Sequence, residues 1–399
     1  LRPVLRTLAP VLLALALPSA RAAAQDPVVR DTLPVDSLIA DTAREGRVRV
    51  CTGGDVTLGT NLIPGWAATA STRYGMRVDP FPDPDSLLAP LRPLVADADV
   101  VLLNVEGAIG EGVPARRKCA PNSTACYAFR QQVEVAGALR RVAGGAEVVG
   151  NVANNHAADA GRPGWRETMR HLEEAGVHVT GADSVPTVVV TAEGDTVAFL
   201  GFSVWIGPDA RDLAAVRRIV GRAAERYGRV VVTMHMGAEG RAAQRTPDST
   251  ETFYGENRGN MVAFARAAAT AGADLVVGHG PHVMRAAEWQ GRTLILYSLG
   301  NLLTYGPFSL AEPLNRGAIA CAVMDPEGTV VEASLRATRQ VPPGRAGADP
   351  TGKSVALTDS LSRLDFPETG ARIDPDGTIR IPDPRAARAP GKRRRSTGN

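Results

Sequence analysis

Cysteine is scarce in this 399-residue chain: there are four, and no Cys-x-x-Cys pair occurs, which excludes a zinc ribbon and a thioredoxin-type redox motif. Aromatic residues make up only 5% of the chain. No basic stripe with interleaved aromatics runs through it, so nothing points to nucleic acid. No apolar run is long enough to span a bilayer core of ~30 Å. The longest candidate is the ten-residue stretch from Leu8 to Leu17. Acids are missing from both ends. Nine of the 45 basic residues lie in the first 24 and the last fifteen positions, so the body between them is mildly acidic and the formal charge of +3 belongs to the ends. No internal repeat is visible.

The ends have patterns of their own. Arg2 and Arg6, the apolar run from Leu8 and the small residues at Ala22-Ala23-Ala24 form the pattern of a cleavable secretory signal, so residues 1–24 are expected to direct export to the periplasm or cell envelope. Residues 25–45 are polar and aperiodic and are expected to be a leader arm. From position 341 to 399, Pro, Gly, Ala, Asp and Arg dominate, and the expectation is a loosely ordered tail. Its Lys392-Arg393-Arg394-Arg395 cluster suits a solvated end or a contact with anionic envelope polymers. Cys119 and Cys126 flank a turn-rich loop and are expected to pair if the chain is exported. Cys51 and Cys321 sit in apolar runs and read as buried small hydrophobes.

Between positions 46 and 340 the sequence alternates short apolar runs with helical patterns. The runs are Val48–Gly53, Val100–Asn104, Glu147–Asn151, Val185–Thr191, Val197–Ser203, Val230–Met234, Leu275–Gly278, Thr293–Ser298 and Ala318–Met324. Helical patterns lie at Pro84–Ala96, Val133–Val142, Trp165–Ala175, Arg211–Tyr227 and Asn257–Ala271. This alternation predicts one layered α/β domain. A hairpin turn at Glu193-Gly194-Asp195 makes the sheet mixed.

Five of the apolar runs end in polar residues, where ligands bind in α/β sheets. The segments are Gly54-Asp55-Val56-Thr57, Asn104-Val105-Glu106, Asn154-Asn155-His156-Ala157-Ala158-Asp159, His235-Met236-Gly237-Ala238-Glu239 and Gly278-His279-Gly280-Pro281-His282. Four of the six histidines fall in them. His171 and His178 lie in and just after a helical pattern and read as surface or packing residues. Singly, each segment has a plain alternative: a turn at Gly54-Asp55, a helix cap at Asn154-Asn155, satisfied loop histidines at His279 and His282. Together, imidazoles, carboxylates and an amide on one rim suit Zn, Mn or Fe.

In this order, with Gly272-Ala273-Asp274 leading into the fifth segment and Tyr297-Ser298-Leu299-Gly300-Asn301 after it, the motifs resemble the CapA family of poly-γ-glutamate capsule synthesis proteins, from about Val48 to Leu303. The resemblance implies a four-layer α/β/β/α sandwich of the calcineurin-like metallophosphoesterase type, with mixed sheets. It implies one or two divalent ions held by Asp55, Glu106, Asn155, His235, His279 and His282. His156 would be a general acid or a donor to the transition state. Asp159, three residues on, would orient that imidazole, or else be a favourable acid in a first helical turn. The implied partners are an anionic γ-glutamyl or other envelope polymer and capsule-synthesis membrane proteins. Two departures stand out. The usual Asp-x-His opening is here Asp55-Val56-Thr57, and the closing histidines are three apart rather than two. These leave open a metal-dependent hydrolase or transferase acting on the polymer, a phosphoesterase acting on a small ester, and a polymer-binding assembly protein without turnover.

Overall fold

A computed structural model describes residues 46–58, 64–112 and 127–383. The signal pattern, the leader arm and the Cys119–Cys126 loop lie outside these residues. In chain order the strands are β1 (Val48–Thr57), β2 (Val100–Val105), the two-residue β3 (Ala108–Ile109) and β4 (Arg130–Gln131), β5 (Glu147–Asn151), β6 (His178–Thr180), β7 (Thr187–Val190), β8 (Thr196–Ser203), β9 (Val230–His235), β10 (Glu251–Phe253), β11 (Glu256–Gly259), β12 (Leu275–His279), β13 (Ala287–Gln290), β14 (Thr293–Leu296), β15 (Asn301–Thr304), β16 (Arg316–Met324), β17 (Val330–Val341) and β18 (Arg345–Ala348). The helices are α1 (Pro64–Tyr74), α2 (Pro84–Leu88), α3 (Glu134–Val142), α4 (Gly161–Glu174), α5 (Leu213–Ala224), α6 (Met261–Thr270) and α7 (Lys353–Asp365).

Two mixed sheets carry the fold. The first runs β18-β17-β16-β1-β2-β5-β6, with β15 also paired to β1. Its half from β1 through β2 and β5 to β6 is parallel, and β16 to β18 are antiparallel. The second runs β13-β14-β12-β9-β8-β7, parallel in its centre and antiparallel at both edges. Both faces of the central strands are covered, which is why β2 and β9 are apolar almost throughout and buried at every position. Val50, Leu102 and Val149 of the first sheet share a core with Phe199, Val231 and Val277 of the second. Outside them, Leu139 of α3 and Leu172 of α4 cover the first sheet, and Val216 of α5 and Phe264 of α6 cover the second. This is the expected four-layer α/β/β/α order.

Several expectations need correction. Cys51 and Cys321 are disulfide-bonded rather than separate buried hydrophobes. They face each other across the antiparallel β1–β16 pair with Cα atoms 4.0 Å apart, a register that a sequence separation of 270 conceals. The chain after position 341 is ordered to Asp383, not loose. β18 extends the first sheet, and Ala371, Ile373 and Ile379 enter the core between the sheets. Isolated apolar residues among Pro, Gly and Asp give no period, yet each finds a slot in a core built by the rest of the chain. The pattern at Pro84–Ala96 divides at Leu88 into α2 and a 3₁₀ turn over Ala89–Leu94, where Pro90 and Pro93 cannot donate to an α-helical ladder. The pattern at Asn257–Ala271 begins in strand β11, and α6 starts only after Asn260, whose Oδ1 caps the amide of Ala263 at 2.9 Å.

Candidate metal centre

Register alone lines up two rows of polar side chains. In the first sheet, Asn301, Asp55, Asn104 and Asn151 are successive partners on β15, β1, β2 and β5. In the second, His279, His235 and Ser203 are partners on β12, β9 and β8. The rows meet where the stacked sheets end. Asn104 Nδ2 donates to Asp55 Oδ1 at 2.8 Å and lies 3.1 Å from His235 Nδ1. His279 Nδ1 is 3.5 Å from Asp55 Oδ1.

Backbone geometry makes this close approach. A Cβ at Gly54 would stand 2.0 Å from the carbonyl oxygen of Gly300, so only glycine lets β1 turn toward the loop before β15. The amide of Asp55 then donates to that carbonyl at 3.0 Å. His282 has φ 58°, a left-handed conformation that costs a non-glycine residue about 1–3 kcal/mol. This bend brings His282 Nδ1 to 2.9 Å from Asp55 Oδ2 and Nε2 to 3.6 Å from Glu106 Oε1. His235 Nε2 is also 3.6 Å from Glu106 Oε1, and Glu239 Oε2 is 3.9 Å from His282 Nε2.

Three side chains, Asp55, Glu106 and His282, offer ligand atoms within 4.8 Å of one another. For metal–ligand bonds of about 2.0–2.2 Å, tetrahedral ligand atoms lie roughly 3.3–3.6 Å apart, and the 3.5 and 3.6 Å separations fall there. Among the described residues, His235 Nε2 and both ring nitrogens of His279 are buried without a hydrogen bond. Such a group costs about 1–3 kcal/mol unless something binds it. Burial pushes Asp55 up, but the bond from His282 and the close imidazoles of His279 and His282 outweigh it and hold the carboxyl well below its usual range. His235 is pushed well below the ordinary imidazole value, first by burial. Burial also opposes charge on His282, yet Glu106 and Asp55 raise it to about 10. The cluster therefore attracts positive charge, and its donor set fits a divalent cation.

A second constellation stands beside it. His156 Nδ1 is 2.6 Å from Asp159 Oδ2, which also accepts the amide of Phe129 at 2.6 Å. Asp159 precedes α4 and is not an acid of its first turn. Asn154 is not a helix cap, since α4 begins only after Ala160; its Oδ1 closes the preceding turn by accepting the amides of His156 at 3.0 Å and Ala157 at 2.7 Å, while its amide group bonds Asn104 Oδ1 and the carbonyl of Val105. Asn155 follows it with Oδ1 buried. The other two histidines stand apart, His171 on α4 and His178 on β6, where it is 2.9 Å from Glu147.

Glu106, His156 and His282 share a cleft of about 240 Å³ with Trp66, Tyr127, Phe129 and Phe308. Phe129 lies 4.1 Å from the His156 ring and 5.3 Å from Phe308, centroid to centroid. Sequence reading did not find these walls. Their only signal is the clustering of aromatics in a chain with few, and that clustering exists only after folding. It also did not single out Asn104, which ties Asp55, His235, Asn151 and Asn154 together. Thr57, in the place of the missing His, donates to the carbonyl of Glu106 at 2.8 Å and so ties β1 to the Glu106 loop.

The sequence is 29% identical over 163 residues to the capsule biosynthesis protein CapA of Bacillus anthracis, covering 38% of this chain and 39% of that protein. It is 29% identical over 173 residues to the PGA biosynthesis protein CapA of Bacillus subtilis (strain 168), covering 38% and 41%. The aligned part thus spans about two-fifths of the length of these relatives. A 5'-nucleotidase precursor from Thermus thermophilus superposes with a TM-score of 0.38 at 13% identity, covering 80% of this chain and 59% of that one. The profile of the bacterial capsule synthesis protein family PGA_cap matches residues 49–305, more than half of the chain, and this protein belongs to that family.

Proposed function

We propose that this chain is an exported, divalent-metal-dependent hydrolase or transferase that acts on a poly-γ-glutamate-type envelope polymer in its synthesis, anchoring or trimming. The observation that carries the reading is the convergence of Asp55, Glu106, His235, His279 and His282 from separate strand ends, with buried imidazole nitrogens left for a ligand. Asn155 joins them as the amide ligand. The family and the curated relatives support the polymer. The Cys51–Cys321 bond supports export, because disulfides persist in oxidising compartments.

A divalent cation held by these residues, Mn, Zn or Fe, would supply Lewis acidity toward the carbonyl oxygen of the amide being cleaved. Asp159 accepts the Nδ1 proton of His156 and fixes the ring, leaving Nε2 to protonate the departing group. Trp66, Phe129 and Phe308 form the apolar side of the cleft beside that group. The test is elemental analysis of the purified protein together with incubation on poly-γ-glutamate. Bound metal with shortening or transfer of the polymer is expected. Phosphate release from a generic ester with the polymer left intact would replace the polymer with a phosphoester. Polymer binding without turnover would remove catalysis from the reading.

A further inference from the structure

The metal cleft does not stand alone. Arg73 and Ser309, on its wall, also line a neighbouring groove of about 530 Å³ that runs to Arg339. The groove is lined by two guanidinium groups and, among the described residues, no carboxylate. Arg73 comes from the last turn of α1 and Arg339 from β17. Neither guanidinium forms a salt bridge or hydrogen bond among the described residues, although most of the arginine side chains here do. Arg339 helps lower the carboxyl of Asp349, but the bonds of that carboxylate go to Arg316 and Thr351. The nearby Glu312 is held by Arg316 at 3.0 Å. Leu310 and exposed Val341 add apolar surface to the lining of the same groove.

This arrangement suits a flexible polyanion with methylene spacers. We propose that the groove is a carboxylate track: Arg73 and Arg339 bind free α-carboxylates of a γ-linked glutamyl chain whose next bond lies in the metal cleft. The inference rests on the polymer reading above. In a γ-linked chain every residue keeps a free carboxylate beside its backbone, which an α-linked peptide lacks. The planar guanidinium fork matches a carboxylate with two parallel hydrogen bonds, and the methylenes lie along Leu310 and Val341.

The experiment measures affinity of the purified full chain for a labelled γ-glutamyl decamer and for γ-glutamyl-glutamate, with metal content and melting temperature followed alongside. Arg73→Gln and Arg339→Gln are each expected to weaken decamer binding roughly tenfold, as for the loss of a charge-assisted hydrogen bond. Arg339→Gln should leave dipeptide affinity within about twofold, since the dipeptide fills only the cleft. Metal content should not change, and Arg339→Lys should restore part of the lost decamer affinity. If the wild-type protein binds the decamer and the Gln variants bind it equally well, the track is overturned and the polymer reading stands. If the metal-containing wild-type protein binds neither glutamyl ligand, the polymer reading falls and the track with it. Tighter binding of polyphosphate than of the decamer overturns the carboxylate assignment.

Discussion

His156, held at 2.6 Å by Asp159, is the proposed proton donor, whereas His235 stands among the proposed ligands. This difference separates two kinds of loss. His156→Ala is expected to keep its metal and lose turnover by about 10²–10⁴-fold, the usual contribution of general acid catalysis. His235→Ala is expected to lose metal and activity together. Asp159→Asn should keep metal and fall between His156→Ala and wild type in turnover, because an amide still bonds the ring but favours its charged form less. Paired measurement of metal content and kcat checks all three, and full turnover in His156→Ala would remove its role. The residue types of this site were legible in the sequence, because carboxylates and imidazoles after apolar strands are uncommon in combination. The contacts that fix Asn104 and bring Phe129 against His156 were not, since each joins positions tens of residues apart.

The strands supply position, and their ends carry other loads as well. Asp274, just before β12, accepts the amide of Val230 and a bond from Arg292, both at 2.9 Å. Burial nevertheless pushes its carboxyl from 3.8 up to about 6. The folded chain therefore holds a proton that the unfolded chain has released between these values. Stability falls as pH rises from about 4 to about 6, by on the order of 3 kcal/mol from this group. Asp274→Asn has no such titration, so melting temperatures of the two proteins between pH 4 and 7 should show a shallower decline for the variant. Parallel slopes would mean that the carboxyl titrates alike in both states. Long β-branched runs such as β9 were recognisable as strands from sequence, whereas β13, β15 and β18, four residues each, were not. Their pairing depends on neighbours in the sheet more than on their own residues. α1 also escaped notice, because its Ala, Ser and Thr give it little amphipathic pattern.

Across the whole molecule, two ties join parts far apart in the sequence, one within the first sheet and one between the sheets. The Cys51–Cys321 bond links strands 270 residues apart. Replacing both cysteines with Ser should lower stability by about 2–5 kcal/mol, seen as a fall in the midpoint of denaturant unfolding. Alkylation of the unreduced, denatured protein should leave Cys51 and Cys321 unlabelled. The segment from Pro342 to Asp383 is the second tie. Phe366 stacks on Tyr297 at 5.1 Å, and Ser362 Oγ accepts the amide of Ala287 at 2.8 Å. Burying each large apolar side chain contributes about 1.5–3 kcal/mol, so Phe366, Ile373 and Ile379 together approach the whole stability of a typical domain. A chain ending at Val341 should therefore be unfolded or insoluble by circular dichroism and gel filtration. A folded, cooperative truncation would show that this segment is an addition to the core.

The sequence by itself determined the layered α/β class, the hairpin at Glu193-Gly194-Asp195, most central strands and the chemical types at their ends. These follow from local period, turn chemistry and composition, which act over a few residues. Only the tertiary structure decided that Cys51 meets Cys321, that the segment after Val341 belongs to the core and that Trp66, Phe129 and Phe308 wall one cleft. Those outcomes depend on strand register and sheet stacking, which bring together side chains far apart in sequence and leave no periodic trace in either partner.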